Sequence, residues 1–274
     1  MGLRVRESEP GDGPDLAELD RSPGAGALPA EWDLWADEPH RTIVAVRGGQ
    51  VVGAAHVAMV GRAEGWVEGV RTRTPGEVET EDALVREALA LARRYGALVV
   101  RACAPASAPS GWLRRHGFEQ VAAFDVLVAD ASPVTAPPDV EIVRRNDGAA
   151  WIGWLRKELA ERTGGLMALG WRFRRFADEI AAGAARESRL LAQRDPAGVA
   201  LFLRRGVDRV VNVLVCAQPW RLLDAVCADL PAEGRVATFA PRESEESRRL
   251  REEGFASHQW CTQGLAVFAR TDVR

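Results

Sequence analysis

The amino-acid sequence predicts an α/β fold with a mixed sheet, of the α+β kind, built as two modules in tandem. Three observations predict it. The same order of strand and helix patterns runs through the chain twice, each run reaches a helix that stops at Gly-Phe, and a stretch bearing three prolines separates the runs. At 274 residues, each half has enough chain to bury its own core.

The first run opens at residues 3–20 with a short strand, a turn and an amphipathic helix. Residues 42–47 and 51–57 then flank Gly48-Gly49-Gln50, β-rich arms around a glycine turn, which reads as a hairpin. Residues 66–72 give a further strand, and the apolar periodicity from Leu84 to Arg94 gives a helix that Tyr95 ends. The next helix, from Trp112, stops at Gly117-Phe118, where a left-handed C-cap calls for glycine and the following Phe can fold back on the core. The second run repeats this order: strand and helix over 140–159, hairpin arms at 189–194 and 198–203, a strand into a helix over 212–223, and a helix ending at Gly254-Phe255. Residues 121–128 and 264–269 read as final strands, each expected to complete its own copy. Pro133, Pro137 and Pro138 stiffen the connection. The expected domains are therefore residues 1–130 and 139–274, joined by a linker over 131–138.

Composition narrows the function classes. The chain is 47% hydrophobic and 27% charged with a net charge of −3, an ordinary globular balance that supplies no field for nucleic acid or an acidic membrane surface. No apolar run approaches the ~20 residues of a membrane span, and residues 1–6 lack the apolar stretch of a signal peptide. Four cysteines and four histidines are scattered without metal-ligand spacing, so no metal is expected, and a reducing cytoplasm is the expected location.

The order of elements, with a helix ending Leu-x-x-x-Gly-Phe at both 113–118 and 250–255, resembles the GNAT superfamily of acyl-CoA-dependent N-acyltransferases across nearly the whole chain, twice. A tandem pair is similar to acetyltransferases of the mycothiol synthase kind. The resemblance implies acetyl-CoA, or another acyl-CoA, as co-substrate, and the amine of a small molecule as acceptor. It implies no nucleic-acid or membrane partner, and a monomer or homodimer. In that family the fourth and fifth strands splay apart to admit pantetheine. The loop before the third helix runs Arg/Gln-x-x-Gly-x-Gly/Ala, so that backbone N–H groups can approach a pyrophosphate.

On this pattern the co-substrate falls to Val70, Arg71, Thr72, Arg73 and Gly76. Glu68, on the fourth strand, stands where the family places its general base; a solvent-facing carboxylate is the other reading of the same residue. Strict alternation puts Trp66, Glu68 and Val70 on one face. Trp32 and Trp35 occupy the region that shapes the acceptor pocket. Trp171, Phe173 and Phe176, interleaved with arginines, hold the matching place in the second copy as a stripe at helical spacing.

Two departures set a limit. Glu79 and Glu81 stand where the loop glycines belong, with Glu77 and Asp82 beside them, and acids there favour the helix but repel pyrophosphate. The second copy is about ten residues shorter between hairpin and Gly-Phe, and Pro219 has no N–H to offer an anion, so its loop is not expected to cradle pyrophosphate; a closed or poorly accessible gap is expected in this copy. The first copy is thus expected to carry any N-acetyltransferase chemistry. The alternative is a catalytically degenerate pair kept for ligand binding or assembly.

Overall fold

The computed structural model describes residues 2–21, 40–60, 63–106, 111–130, 138–142, 148–169, 172–175, 188–193, 198–205, 208–216, 219–228, 234–258, 262 and 264–271. It forms two compact units that are discontinuous in sequence. One comprises Met1–Ala104, Ala108–Val121 and Val267–Arg274, the other Pro105–Ser107 and Ala122–Ala266. The expected domain limits, with the linker at 131–138, stand as a proposal beside this grouping.

In the first unit, β1 (Arg4–Glu7) pairs antiparallel with β2 (His40–Arg47), and β2 with β3 (Gln50–Val60). Gly48 and Gly49 both take positive φ (63° and 85°), which a two-residue hairpin turn of the primed type demands. Strand β4 (Glu64–Thr72) lies antiparallel to β3, and α2 (Val78–Arg94) crosses over to β5 (Val99–Pro105), parallel to β4. Helix α1 (Gly13–Arg21) covers one face through Leu16 and Leu19, which pack on Val44, Val51 and Ala54. Helix α2 covers the other face so closely that a Cβ on Gly53 would come within 2.8 Å of both Thr80 Cγ2 and the Arg71 carbonyl oxygen.

The Gly-Phe punctuation is a Schellman motif in both copies. After α3 (Gly111–Arg115), Gly117 at φ 70° lets the Phe118 amide reach the Leu113 carbonyl at 2.9 Å. Phe118 then packs edge-on against Trp112, ring centroids 5.5 Å apart. In the second unit, after the helix Glu245–Glu252 (α6), Gly254 at φ 94° lets the Phe255 amide reach the Leu250 carbonyl at 3.0 Å.

The second unit repeats the plan with β7 (Val140–Ile142), α4 (Gly148–Thr163), β10 (Ser188–Gln193), β11 (Gly198–Arg205), β12 (Asp208–Cys216), α5 (Pro219–Cys227) and β13 (Arg235–Pro241). Between α4 and β10 it inserts a hairpin, β8 (Leu166–Leu169) and β9 (Arg172–Arg175). The stripe expected at helical spacing around 171–176 is therefore a strand where it is described; Trp171 and Phe176 lie outside the described residues. Phe173 is core, stacked on Phe124 at 4.4 Å and edge-on to Phe239 at 5.5 Å.

The final strands correct a second expectation. Strand β6 (Glu119–Asp130) runs twelve residues without a glycine or proline to turn it back. Its residues from Ala122 onward belong to the second unit, antiparallel to β13 and also paired with β14 (Ala256–Ser257). Strand β15 (Leu265–Arg270) places Val267–Arg270 in the first unit, between β5 and the start of β6. Each unit thus takes its closing strand from the other copy's sequence.

Ser244 caps α6, its hydroxyl accepting from the Ser247 amide at 3.1 Å. Glu246, in the same acidic run, is buried beside Arg162, and burial pushes its carboxyl up to about 7 against the pull of that arginine. A folded-state value above the unfolded one means this group's contribution is full below about 4.5 and is lost as pH rises through about 7. Chemical denaturation across that window is expected to show the wild type losing stability relative to Glu246→Gln as pH rises; a constant difference would contradict the shift.

Candidate active site

The parallel ladder between β4 and β5 holds for four registers, Glu64↔Val99 to Val67↔Ala102, and stops, although β4 continues to Thr72 and β5 to Pro105. The cause is local. On β3, His56 faces Glu68 and Ala54 faces Arg71, so Ala55 alone opposes both Gly69 and Val70. That is a β-bulge, and Gly69 at φ 58° is the residue that permits it. The bulge bends β4 where the ladder ends, and Glu68 is the first residue beyond the last pair.

The second unit splits in the same way. The ladder of β12 and β13 runs from Asp208↔Arg235 to Val211↔Thr238 and ends beside an irregularity that leaves Asn212 unpaired with β11. Of the closed or poorly accessible gap expected in this copy, the closed form is not found as a continued ladder. The shortening falls after β12 and mostly in the helix, α5 having 9 residues where α2 has 17.

The bulge also revises the strand faces. Cross-strand partners share a face, so Glu68 and Arg71 lie together with His56, Ala54 and Thr42 on the side covered by α1. Strict alternation had put Val70 there instead. This face holds a cavity of about 210 Å³, walled by Leu16 and Leu19 of α1, His40 and Thr42 of β2, Ala54 and His56 of β3, and Arg71 of β4. Thr42 Oγ1 lies 2.8 Å from His56 Nδ1, and Arg71 Nη2 lies 3.5 Å from His56 Nε2. Arg71 Nε also donates to the Gly69 carbonyl at 3.1 Å, and burial holds the guanidinium below its ordinary value. Arg71 therefore ties the bulge to the cavity.

At the closed end of the ladder, Trp66 is fully buried and its Nε1 donates to Glu64 at 2.8 Å; Glu64 in turn pairs with Arg101 at 3.1 Å. This buried group anchors the strands just before they part.

The loop to α2 gives the remaining expected residues different surroundings. Arg73 donates to Asp15 at 3.1 Å and pairs with Glu18 at 2.9 Å, both on α1. Thr72 is buried, and its hydroxyl closes the loop on the Thr74 carbonyl at 2.7 Å. Gly76 at φ 75° follows Pro75 in a turn closed by the Glu77 amide on the Thr74 carbonyl, so the turn itself requires this glycine. The acids are paired off: Arg47 binds Glu77 at 2.5 Å and Glu79 at 2.7 Å, and Arg115 binds Glu81 and Asp82, each at 2.9 Å. Partial burial pushes the Asp82 carboxyl up, but hydrogen bonds from Arg115 and His116 outweigh it and hold it below the ordinary aspartate range.

The open β4 edge suits an extended pantetheine arm, which pairs with backbone. The α2 N-terminus suits pyrophosphate poorly, because bulky acids held by two arginines stand where glycines would let the phosphate in. Trp32 and Trp35 lie outside the described residues. Reading the sequence for zinc spacing alone passed over His56, although it is the one ionisable residue in the apolar run of β3 from Val51 to Met59. Among the described residues, no helix is long and apolar enough to cross a membrane.

No protein-family profile matches the chain, and no curated protein matches it in sequence. Solved structures do. An acetyltransferase candidate from Pyrococcus horikoshii superposes with a TM-score of 0.66 at 14% identity, over 99% of this chain and 90% of its own. A GCN5-related N-acetyltransferase from Sphaerobacter thermophilus gives 0.65 at 15%, over 99% and 96%. A tandem GNAT protein from the clavulanic acid biosynthesis pathway gives 0.61 at 17%, over 98% of each chain. Likeness at these identities is a likeness of fold, and it extends over both copies.

Proposed function

We propose that this chain, which has the GNAT fold in tandem, is an acyl-CoA-dependent N-acyltransferase acting on the amine of a small molecule, with its chemistry in the first module. The observation that carries the reading is the split of β4 from β5 after Val67↔Ala102, with Glu68 at its mouth on the face of the cavity. The acyl-CoA thioester, when bound, supplies the acyl group and a thiolate leaving group. The chain's own residues hold and deprotonate the acceptor. Glu68 takes the proton from the incoming ammonium, directly or through water, so that a neutral amine attacks. Thr42 and Arg71 stand at the two ring nitrogens of His56 beside it, and α1 screens the cavity from solvent on the leucine side.

The second reading, a degenerate pair kept for ligand binding, is favoured by the acids at the start of α2, which leave the phosphate end of the co-substrate without its usual cradle. Calorimetric titration with acetyl-CoA separates the two. A micromolar dissociation constant, with an accompanying rise in melting temperature, is the expected result. No binding at about millimolar acetyl-CoA would exclude the enzyme reading (about −4 kcal/mol is the affinity at that limit).

A further inference from the structure

We propose that the Arg162–Glu246 pair is a proton-operated latch at the open end of the β12–β13 split, shut in acid and released towards neutral pH. The inference is independent of the acyltransferase reading, because it concerns the opening of the second module and not what enters it.

Placement comes first. Val236, Thr238 and Ala240 alternate onto one face of β13, and Leu127 of β6, opposite Thr238, shares that face. Leu127, Val236 and Ala240 form one core cluster with Leu222 and Val226 of α5 and Leu250 of α6, so both helices cover it. Glu246 lies one turn before Leu250, on the same side of α6. Phe239 points to the opposite face, where Phe173 of β9 meets it edge-on. Strand β8 pairs with β9, and Thr163 at the end of α4 donates to the Leu166 carbonyl of β8 at 2.6 Å. Arg162, next to Thr163, therefore approaches Glu246 from the other face of the sheet. Strand β6 stays paired with β13 as far as Pro241, whereas β12 leaves β13 after Val211↔Thr238. The pair thus stands where the sheet is open.

Energetics come second. Arg162 donates to Glu246 Oε2, but Oε1 is buried without a hydrogen-bond partner among the described residues. The buried hydroxyl of Thr238, on the last rung of the ladder, has none there either. A buried ion pair with lone pairs left over does not recover what desolvation costs it. Burial accordingly outweighs the arginine, and the carboxyl sits at about 7. Other charges nearby are engaged elsewhere: Glu245 pairs with Arg249, Asp125 of β6 takes the Ser247 hydroxyl and Arg251, and Asp224 of α5 acts on Glu253 at the far end of α6. Helix α6 itself has eight residues and one buried apolar side chain, Leu250, so little burial resists its lifting.

The direction follows from linkage. Lifting the first turn of α6 exposes the carboxyl, which returns towards its ordinary 4.5. Between 4.5 and about 7 the shut form holds a proton that the open form releases, so opening becomes easier by up to about tenfold per pH unit. Outside that window it no longer changes with pH.

Hydrogen exchange of the full chain, read by mass spectrometry from pH 5 to 8 and corrected for the intrinsic exchange rate, tests the latch. Protection of residues 245–252 is expected to fall at least about tenfold between pH 5 and 7 and to level off by about pH 8. Strand β11, paired on both sides, is expected to keep its protection. Glu246→Gln, neutral throughout, is expected to hold α6 at its acid level at every pH. Arg162→Gln removes the charge that pulls the carboxyl down, and is expected to carry the fall to higher pH. A flat wild-type profile, a fall that survives Glu246→Gln, an equal fall in β11, or a fall ending at the same pH in Arg162→Gln would each overturn the inference. Should Glu246→Gln not fold, the wild-type and Arg162→Gln profiles decide it.

Discussion

Glu68→Gln is expected to lower the turnover of acyl transfer by about 10²–10⁴-fold, the range over which a positioned general base acts. The substitution keeps the shape and the hydrogen-bonding oxygen but removes the basic site. Glu68 follows the last β4–β5 pair and faces His56 across β3, outside the buried Glu64, Trp66 and Arg101 group that holds the strands together. Folding and acyl-CoA affinity are therefore expected to stay at wild-type levels. The deficit has a diagnostic pH dependence. At low pH the acceptor is an ammonium and needs a base; above the amine's own pKa it arrives neutral and does not. The gap between variant and wild type is expected to narrow as pH rises across that value. Measured kcat at several pH values decides it: a constant deficit would assign Glu68 a structural role, and no deficit would remove it from the chemistry.

Gly264→Ala is expected to be the most destabilising single-methyl change in the described chain. Gly264 opens β15 at φ 78°, and a Cβ there would lie 2.3 Å from the Phe124 carbonyl oxygen and 3.2 Å from its carbon. Both neighbours are backbone of β6, which β13 and β14 hold in register, so neither yields as a side-chain tip would. The left-handed conformation costs an L-residue about 1–2 kcal/mol, and forced overpacking adds about 1–3 kcal/mol. Together these correspond to a fall of roughly 10 °C in melting temperature for a domain of this size. Gly117→Ala is the control. Its φ of 70° carries the same strain, but a Cβ there meets nothing within 4 Å. A Gly264 variant no worse than the Gly117 variant would show that β15 has room to move away from β6.

Much of the fold was legible because its signals are local. Gly48-Gly49 can only be a tight turn, and Gly117-Phe118 and Gly254-Phe255 can only end helices, since positive φ and the return of the Phe are properties of a few adjacent residues. The order of these signals, appearing twice, carried the fold class and the family likeness that the superposed structures bear out as a fold. What stayed hidden depends on partners distant in sequence. The exchange of β6 and β15 could not be read, because a strand's pattern reports that it pairs and not with which neighbour. The stripe around Phe173 was misread for a related reason: alternating aromatic and basic residues over six positions fit either period, and contacts with Phe124 and Phe239 chose the strand.

The same division runs through the candidate site. By itself the sequence determined that Glu68 sits on the fourth strand and that acids replace glycines before α2, both being matters of position along the chain. Only the tertiary structure decided what those residues face. One extra residue at Gly69–Val70 put Arg71 on the face of Glu68 and His56, on the cavity side. Arg47 and Arg115, 30 to 34 residues from their partners, tied up the acids of the α2 start. A bulge shifts every side chain after it, and an ion pair joins whatever the fold brings near. Neither event leaves a mark in the spacing of the residues concerned.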